Sequence, residues 1–198
     1  MALVDKPSAR ETKRLQTRER LMGAAVAEFK RSGIAAADVG AIVAAAGVAH
    51  GTFFFHFPTK EHVLLELERR EEERIAKQLA RFASDRRELS AIFGEAVRLV
   101  VGLERRLGGL LFKDFLALHF SQTRPQGDSP HPVIVEVTRA IEAAQELGNV
   151  DADVDPFNSA VFFLLGLYAL LITTHNWPEQ HAMLDDYLRG SLRSIGAK

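Results

Sequence analysis

The chain of 198 residues contains no cysteine and no apolar run long enough to cross a membrane. Without cysteine there are no disulfides, no thiolate metal sites and no cysteine nucleophile. The longest apolar run, residues 160–172, holds 13 residues with one glycine among them, whereas a membrane-spanning helix needs about 20. We therefore predict a buried helix there, no membrane partner and a cytoplasmic location. The polar first 20 residues predict no secretion signal.

Catalytic and cofactor motifs are also missing. The sequence has no HExxH, GxSxG, GxxxxGK or GxGxxG pattern, so metalloprotease, hydrolase, phosphate-loop and dinucleotide-binding chemistry lack their usual residues. Three of the seven histidines, His50, His56 and His62, lie six residues apart, which spreads them around helices, whereas metal-binding pairs are commonly four apart. We therefore expect no enzyme activity, no cofactor and no metal site.

Charge is unevenly distributed, although the net charge is only -1. Residues 1–62 contain nine lysines and arginines against six acidic residues, and residues 63–198 contain sixteen against twenty. The sequence thus predicts a basic N-terminal domain, 1–62, followed by a mildly acidic domain, 63–198. A basic end suits a polyanionic partner, and a merely solvated terminus is the alternative. The cations that make up this basic arm are Lys6, Arg10, Lys13, Arg14 and Arg18.

Apolar residues recur at helical spacing along nearly the whole chain, and no alternating strand pattern is found. We predict an all-α fold of about nine helices. The charge-dense stretch ELERREEERIAKQ in the fourth suggests an exposed connecting helix, and QTRPQGDSPHP is the clearest loop. The predicted spans are 11–31, 38–46, 50–55, 60–83, 85–107, 110–120, 132–147, 156–176 and 179–195.

Several of these boundaries depend on capping residues. Asp38 is a good N-cap for the second helix, and Gly47 ends that helix. Asp85, with Glu88 three residues later, is typical of a capping box that starts the fifth helix. The glycine pair at 108–109 separates the fifth helix from the sixth.

The stretch GVAHGTFFFHFPTKE, residues 47–61, concentrates four phenylalanines around one histidine. Phe53 and Phe57 are four residues apart, so on a helix they share one face, which we expect to be buried. Phe54 and Phe55 then point toward solvent, the next helix or a partner. Two short helices joined through a glycine and packed on a longer one have the proportions of a helix-turn-helix, here about residues 38–57.

An ordered set of residues extends this pattern on both sides: Ala24, Ala25, Phe29, Gly33, Ile42, Ala46, Gly47, Val48, Gly51, Thr52, His56, Phe57, Lys60 and Glu61. With them, residues 17–67 resemble the DNA-binding domain of the TetR family of bacterial transcriptional regulators. The resemblance implies a homodimer that binds a palindromic operator in double-stranded DNA and represses transcription. It also implies a small-molecule effector that binds the larger C-terminal domain and relieves repression.

The positions shared with the family imply contacts to DNA phosphates, bases and sugars. The phosphate candidates are Thr52, His56 and Lys60, and the base or sugar candidates are Ala49, His50 and Phe54. The remaining positions of the expected DNA-binding set are Arg14, Thr17, Arg18, Val39, Gly40 and Gly51.

Several positions depart from the family pattern, including the start of the second helix, where the family favours hydroxyl and basic residues and this chain has Ala37, Asp38 and Gly40. His50 stands where a lysine is common, and Phe54 where a tyrosine is common. A neutral imidazole and a ring without a hydroxyl leave few direct readers of bases. We therefore expect affinity to depend on the basic arm and on backbone amides at helix N-termini. The alternative is a helical interaction or sensor module whose DNA binding is weak or lost.

Aromatic residues of the predicted sixth and eighth helices suggest where an apolar or aromatic effector would bind, with His119 and Tyr168 as polar handles. The alternative is that these side chains only fill the core or a dimer interface. The ligand-binding candidates are Phe112, Phe115, His119, Phe120, Phe162, Phe163 and Tyr168. Because helix eight is apolar on most sides and helix nine has one apolar stripe, we predict a homodimer through these two helices.

Overall fold

The computed structural model describes residues 8–85, 87–121 and 131–197. Within these ranges the chain forms eight α-helices and no β-strand, so the predicted all-α class is confirmed. Lys6 and most of the predicted loop QTRPQGDSPHP lie outside the described residues. The helices are α1 (Ala9–Ala36), α2 (Val39–Ala46), α3 (His50–His56), α4 (Lys60–Ala83), α5 (Leu89–His119), α6 (Pro132–Glu146), α7 (Pro156–Thr173) and α8 (Gln180–Ser194).

The described chain has one helix fewer than predicted, because α5 continues through the expected break. At Gly108 the backbone takes φ 74° and ψ 160°, a conformation that glycine adopts readily, and the helix resumes directly afterwards. The predicted fifth and sixth helices are therefore one kinked element. In the same way, α1 continues past Gly33 (φ 73°, ψ 163°) to Ala36, although the sequence predicts its end near that glycine.

The start of α5 also differs from the prediction. The helix begins at Leu89, and its N-cap residue, Glu88, makes no side-chain cap hydrogen bond. An N-cap residue directly precedes the first helical residue, so Asp85 lies too early in the chain to cap α5. Asp85 instead pairs with Arg87 across 3.2 Å. The predicted capping box is therefore wrong.

Asp38 and Gly47 delimit α2 as predicted. The Asp38 carboxylate accepts hydrogen bonds from the amides of Gly40 (2.9 Å) and Ala41 (3.2 Å). Gly47 takes a left-handed conformation with φ 62°, and its amide donates to carbonyls of the last turn of α2. This conformation turns the chain from α2 toward α3.

The chain divides into two compact units, Met1–Leu67 and Glu68–Lys198, so the boundary lies five residues after the predicted one at residue 62. In the first unit α1 packs on α2, and α2 packs on α3. The fully buried side chains of this unit include Phe29, Ile42 and Phe53. Burying one such side chain stabilises the fold by about 2–3 kcal/mol.

In the second unit, α7 packs against α5, α6 and α8. Tyr187 of α8 lies so close to Gly166 of α7 that a Cβ there would come within 2.8 Å of the tyrosine ring. The Tyr187 hydroxyl donates to the Phe163 carbonyl at 2.5 Å. By length and composition alone, Pro156–Thr173 could also cross a membrane, and so could α2 and α3 taken together, but core helices of soluble proteins share this property.

Candidate functional site

The short helix α3 divides its phenylalanines between two faces. Phe53 and Phe57 are completely buried, with ring centroids 6.0 Å apart. Phe54 is 49% exposed and Phe55 is 73% exposed. The predictions for this run are confirmed: α3 is anchored from within and presents aromatic rings outward.

Arg18, a predicted DNA contact, is engaged inside the first unit. Its guanidinium lies 4.1 Å from the centroid of the Phe57 ring, donates to a Glu66 carboxylate oxygen at 3.0 Å and also donates to the His56 carbonyl. Charge-assisted hydrogen bonds and a cation–π contact together hold the end of α3 against α1 and α4. A phosphate would have to compete with these contacts for Arg18.

Lys60, also a predicted phosphate contact, caps the C-terminal end of α1. Its ammonium donates to the carbonyls of Ala35 (3.1 Å) and Ala37 (3.0 Å). The last carbonyls of a helix lack partners within the helix, and a cation there also balances the negative end of the helix dipole. Lys60 therefore stabilises the fold, whether or not DNA is bound.

The amino end of α2 is not an open anion site. The Asp38 carboxylate already accepts hydrogen bonds from the amides of Gly40 and Ala41, and its negative charge would repel a phosphate. The expectation that backbone amides bind phosphate is therefore wrong for α2. The signal was present in the sequence, since Asp38 is itself the predicted N-cap.

The other predicted DNA-binding positions remain accessible. A Cβ built on Gly51 would meet no atom within 4 Å among the residues described, so the packing of the chain itself does not require glycine there. A partner whose backbone approaches α3 closely would require it. The exposed positions are Arg14, Ala49, His50, Gly51 and Phe54, and the half-buried ones are Thr17, Val39, Gly40, Thr52 and His56.

His56 offers a hydrogen-bond donor without a full charge. Its partial burial lowers its pKa, and the positive charges of Arg18 and Arg14 lower that pKa further. At neutral pH the ring is therefore neutral, and it could donate one N–H to a phosphate.

Three accessible positive charges of the first unit lie on the opening turns of α1. Arg10, Lys13 and Arg14 are exposed and make no hydrogen bond or ion pair with any residue in the described ranges. They belong to the predicted basic arm, which from Ala9 onward is helical. A helix fixes their spacing, so they form a charged surface instead of a loose tail.

In the second unit, the predicted ligand-binding residues do not gather at one place. Phe112 and Phe115 are buried and stack on each other with centroids 6.4 Å apart. Phe163 is buried against Phe93 at 4.3 Å, whereas its neighbour Phe162 is 70% exposed. These four predicted side chains therefore include core residues and a surface residue.

The other three predicted ligand residues form a separate aromatic group. The rings of His119, Phe120 and Tyr168 have centroids 5.0 to 6.3 Å apart. Tyr168 is buried, and Phe120 is exposed at the end of α5. The His119 ring also contacts His131, which precedes α6, with centroids 5.2 Å apart.

Two buried glutamates of α4 adjoin this aromatic group. Glu68 is 1% exposed and Glu72 is 4% exposed. The Nδ1 atom of His119 lies 2.7 Å from Glu68 Oε1 and 3.4 Å from Glu72 Oε1, and His131 Nε2 lies 3.0 Å from Glu72 Oε1. Side chains of the types that bind metal ions thus meet at a place where the sequence predicts no metal site. The expectation that the charge-dense stretch of α4 is exposed is wrong at both glutamates.

The charges within this cluster are coupled. Burial of His119 lowers its pKa, but hydrogen bonds and charge interactions with Glu68 and Glu72 outweigh the effect, so that its pKa is raised overall. A protonated imidazole here balances carboxylates that would be costly to bury alone.

Helical periodicity contained a signal for these buried glutamates. Glu68 and Glu72 continue an apolar stripe of α4 that also includes Leu64, Ile75 and Leu79, all of which are buried. Acidic residues at stripe positions predict buried charge, and buried charge is often functional. The histidines carried no such signal, because they lie 47 and 59 residues after Glu72 in the sequence.

Two open cavities also lie in the second unit. The first, about 490 Å³, is bounded by α5, α7 and α8, and two predicted ligand residues, Phe162 and Phe163, line it. The second, about 720 Å³, lies between α5 and α8 and contains the pair His175 and Glu104, whose atoms Nδ1 and Oε1 are 2.8 Å apart.

Residues 21–67 match the family described as "Bacterial regulatory proteins, tetR family". The matched segment starts within α1, contains α2 and α3, and ends in the second turn of α4. It therefore coincides with the helix-turn-helix and the elements that support it.

Solved structures resemble nearly the whole chain. RolR in complex with resorcinol has a TM-score of 0.70 and 20% identity, over 94% of this chain and 91% of that one. SmeT, the repressor of the Stenotrophomonas maltophilia multidrug efflux pump SmeDEF, has a TM-score of 0.66 and 22% identity, over 92% and 93%. Thermus thermophilus FadR in complex with lauroyl-CoA has a TM-score of 0.66 and 20% identity, over 90% and 92%. At these identities the likeness concerns the fold.

Proposed function

The N-terminal domain of this chain belongs to the tetR family of bacterial regulatory proteins, and on that premise we propose that the chain is a dimeric repressor released by a small-molecule effector. It would bind a palindromic operator in the cytoplasm. The observation that carries the proposal is the outer face of α3, where Ala49, His50, Gly51 and Phe54 are exposed. The buried Phe53 anchors this face from within.

We assign this face to the major groove of DNA. Phe54 and Ala49 would contact thymine methyl groups, and His50 would contact a base edge. Thr52 and His56, at the sides of the helix, would donate hydrogen bonds to phosphates. Glycine at position 51 would let the DNA backbone approach α3 closely, which agrees with the open space around it.

Positive charge for the phosphates would come mainly from α1. Arg10, Lys13 and Arg14 are exposed there and make no ion pair within the described chain. Arg18 and Lys60, which the family pattern also assigns to DNA, would act by holding α1, α3 and α4 together. With the charges placed in this way, α1 would supply affinity for any DNA sequence, and α3 would discriminate among sequences.

Dimerisation would use α7 together with α8, the predicted eighth and ninth helices. Phe162, Leu165, Ala169 and Ile172 are exposed on α7 at steps of three or four residues, so they form one apolar stripe. Such a continuous exposed stripe favours contact with a second copy of the chain. The two copies would then present two recognition helices to the two halves of an operator.

The effector would be a small apolar or aromatic molecule bound by the second unit. The aromatic group of His119, Phe120 and Tyr168, with the cavity beside Phe162 and Phe163, supports this assignment. The related structures hold resorcinol in RolR and lauroyl-CoA in Thermus thermophilus FadR. Binding would have to favour the conformation with lower operator affinity, as linkage requires.

The proposal is tested by neutralising the α1 cations together. Operator fragments are first selected from DNA of the source genome, and binding is then measured at several salt concentrations. Each phosphate contact contributes about 0.9 to the slope of log K against log salt, so Arg10→Gln, Lys13→Gln and Arg14→Gln combined should flatten the slope by up to about 2.7 per chain. Operator and random duplexes should weaken alike.

The matched control removes three exposed arginines from the second unit, Arg98, Arg139 and Arg189, each paired with a nearby acid on its own helix. The control triple should keep the wild-type slope. An unchanged slope in the α1 triple would contradict its role in phosphate binding. No binding of the wild-type chain to any duplex would instead favour a helical interaction or sensor module.

A further inference from the structure

Three side chains with metal-ligand atoms converge in the second unit. They are Glu72 of α4, His119 at the end of α5 and His131 directly before α6, and one ligand atom from each lies within 4.8 Å of the others. Glu72 is buried, and the imidazole side chains are only 11% (His119) and 9% (His131) exposed. Exposed acidic groups often lie near one another without a ligand, but this group is almost entirely enclosed.

The spacing within the group fits tetrahedral coordination. Both imidazoles place a ring nitrogen near the same carboxylate oxygen: Glu72 Oε1 lies 3.4 Å from His119 Nδ1 and 3.0 Å from His131 Nε2. Zinc binds histidine nitrogen and carboxylate oxygen at about 2.0–2.2 Å, so neighbouring ligands of a tetrahedral site lie about 3.3–3.5 Å apart. Both distances to Glu72 are therefore within a few tenths of an ångström of the tetrahedral value.

His131 provides a second, independent observation. Its Nε2 atom is buried and has no hydrogen-bond partner among the described residues. The 3.0 Å approach to Glu72 is an ion-pair distance but lacks the alignment of a hydrogen bond. Buried polar atoms are nearly always satisfied, so an unsatisfied nitrogen aimed into a cluster of ligand atoms indicates a missing partner.

We propose that Glu72, His119 and His131 bind one divalent transition-metal ion of the zinc class. Two imidazole nitrogens and one carboxylate oxygen suit Zn²⁺, Co²⁺ and Ni²⁺, and three protein ligands leave one coordination position for water or another ligand. Glu68 Oε1, 2.7 Å from His119 Nδ1, adds negative charge beside the site, and its contact with Nδ1 would give way to the metal.

Metal binding would compete with a cap hydrogen bond. In this structure His131 Nδ1 accepts from the Val133 amide at 3.2 Å, so a neutral ring carries its proton on Nε2. Coordination through Nε2 moves that proton to Nδ1. The hydrogen bond from the Val133 amide to Nδ1 is then lost. Metal binding should therefore loosen the first turn of α6, which loses this cap.

The same hydrogen bond suggests a discriminating variant. In His131→Asn, the side-chain oxygen occupies the region of Nδ1 and can still accept from the Val133 amide, because asparagine is a good N-cap. The variant lacks any counterpart of Nε2. It therefore removes the metal ligand while keeping the cap.

The test is a titration of the chelator-treated full chain with Co²⁺. Tetrahedral Co²⁺ absorbs visible light strongly, whereas the hydrated octahedral ion absorbs weakly, so the spectrum reports both binding and geometry. We expect one Co²⁺ per chain, displaced by Zn²⁺. His131→Asn and Glu72→Gln should each weaken binding by at least about 10-fold, because each removes a ligand and even outer-shell changes commonly cost about 10- to 100-fold.

His181→Asn, at an exposed histidine of α8, is the matched control and should bind as the wild type does. Circular dichroism of the metal-free variants checks their folding, and His119→Gln replaces any variant that fails to fold. No tetrahedral spectrum from the wild type, or unchanged affinity in His131→Asn, would overturn the proposal. Because the titration contains no DNA, its failure would leave the proposed repressor function standing, and loss of operator binding would leave the metal result standing.

Discussion

Two helices of this protein, α3 and α7, expose phenylalanines, and the residues around those rings differ sharply. On α3, Phe54 and Phe55 are accompanied by two histidines and a threonine within seven residues. On α7, Phe157 and Phe162 belong to an 18-residue helix without a single charged side chain. One surface mixes rings with hydrogen-bonding groups, and the other is almost purely apolar.

The difference indicates two kinds of partner. An apolar stripe without polar groups gains free energy only when another apolar surface covers it, as a second copy of the chain would. DNA presents charged phosphates and polar base edges, so it needs donors and cations around any apolar contact. The rings of α3 lie beside such donors, and the rings of α7 do not.

The first prediction concerns the inner face of α3 and carries the largest expected effect. Phe53→Ala removes a completely buried ring, and truncations of this kind cost about 3–5 kcal/mol. Phe55→Ala removes a ring that is 73% exposed and should change stability by less than about 0.5 kcal/mol. Denaturant unfolding followed by circular dichroism measures both. Similar losses in the two variants would contradict the division of α3 into an inner and an outer face.

The second prediction separates the two exposed aromatic surfaces. Phe162→Asp places a charge in the proposed α7 interface and should weaken dimerisation by about 30-fold or more, since hot-spot residues contribute at least about 2 kcal/mol. Phe55→Asp on α3 should leave the dimer intact. Analytical ultracentrifugation distinguishes the chain of 21.9 kDa from a species of twice that mass. A dimer insensitive to Phe162→Asp would place the interface elsewhere.

The third prediction tests whether Arg18 acts within the fold. Arg18→Gln loses the Glu66 ion pair and the stacking on Phe57, which should cost about 2 kcal/mol, because the pair is partly buried. Arg98→Gln loses an exposed pair with Glu95 and should cost at most about 0.5 kcal/mol. Equal stabilities for the two variants would show that Arg18 is not a structural residue, and would return it to the set of DNA contacts.

Much of the fold could be predicted because its determinants are local. The burial of Phe53 and Phe57 follows from their spacing of four, and the ends of α2 follow from Asp38 and Gly47 themselves. The sequence locates the break at Gly108 and a helix after it, but nothing local shows that the two segments form one kinked helix. A glycine with positive φ can lie at a kink, as Gly108 does, or at a helix end, as Gly47 does.

The internal roles of Arg18 and Lys60 could not be predicted, because their partners are distant in the sequence. Glu66 follows Arg18 by 48 residues, and the carbonyl of Ala37 precedes Lys60 by 23. The family pattern shows that a charged residue is required at a position. It does not show whether that residue contacts a DNA phosphate or a group of the protein itself. The same distance hid the His119 and His131 cluster, although the buried Glu68 could have been found from its place in the apolar stripe of α4.

The last prediction has the smallest effect on stability and bears directly on the outer face of α3. Gly51→Ala replaces a helical glycine in open space, so it should stabilise the free protein by up to about 1 kcal/mol. If the DNA backbone approaches this position closely, the added methyl group should nevertheless weaken binding by about 10-fold, or about 1.4 kcal/mol.

Gly23→Ala on α1, where a Cβ also meets no atom within 4 Å, is the matched control. It should give a similar gain in stability and leave DNA affinity unchanged. Thermal unfolding and fluorescence anisotropy with a labelled operator measure the two quantities separately. If Gly51→Ala binds operator as tightly as the wild type, then no partner approaches α3 at this residue, and the proposed major-groove face would have to lie on another side of the helix.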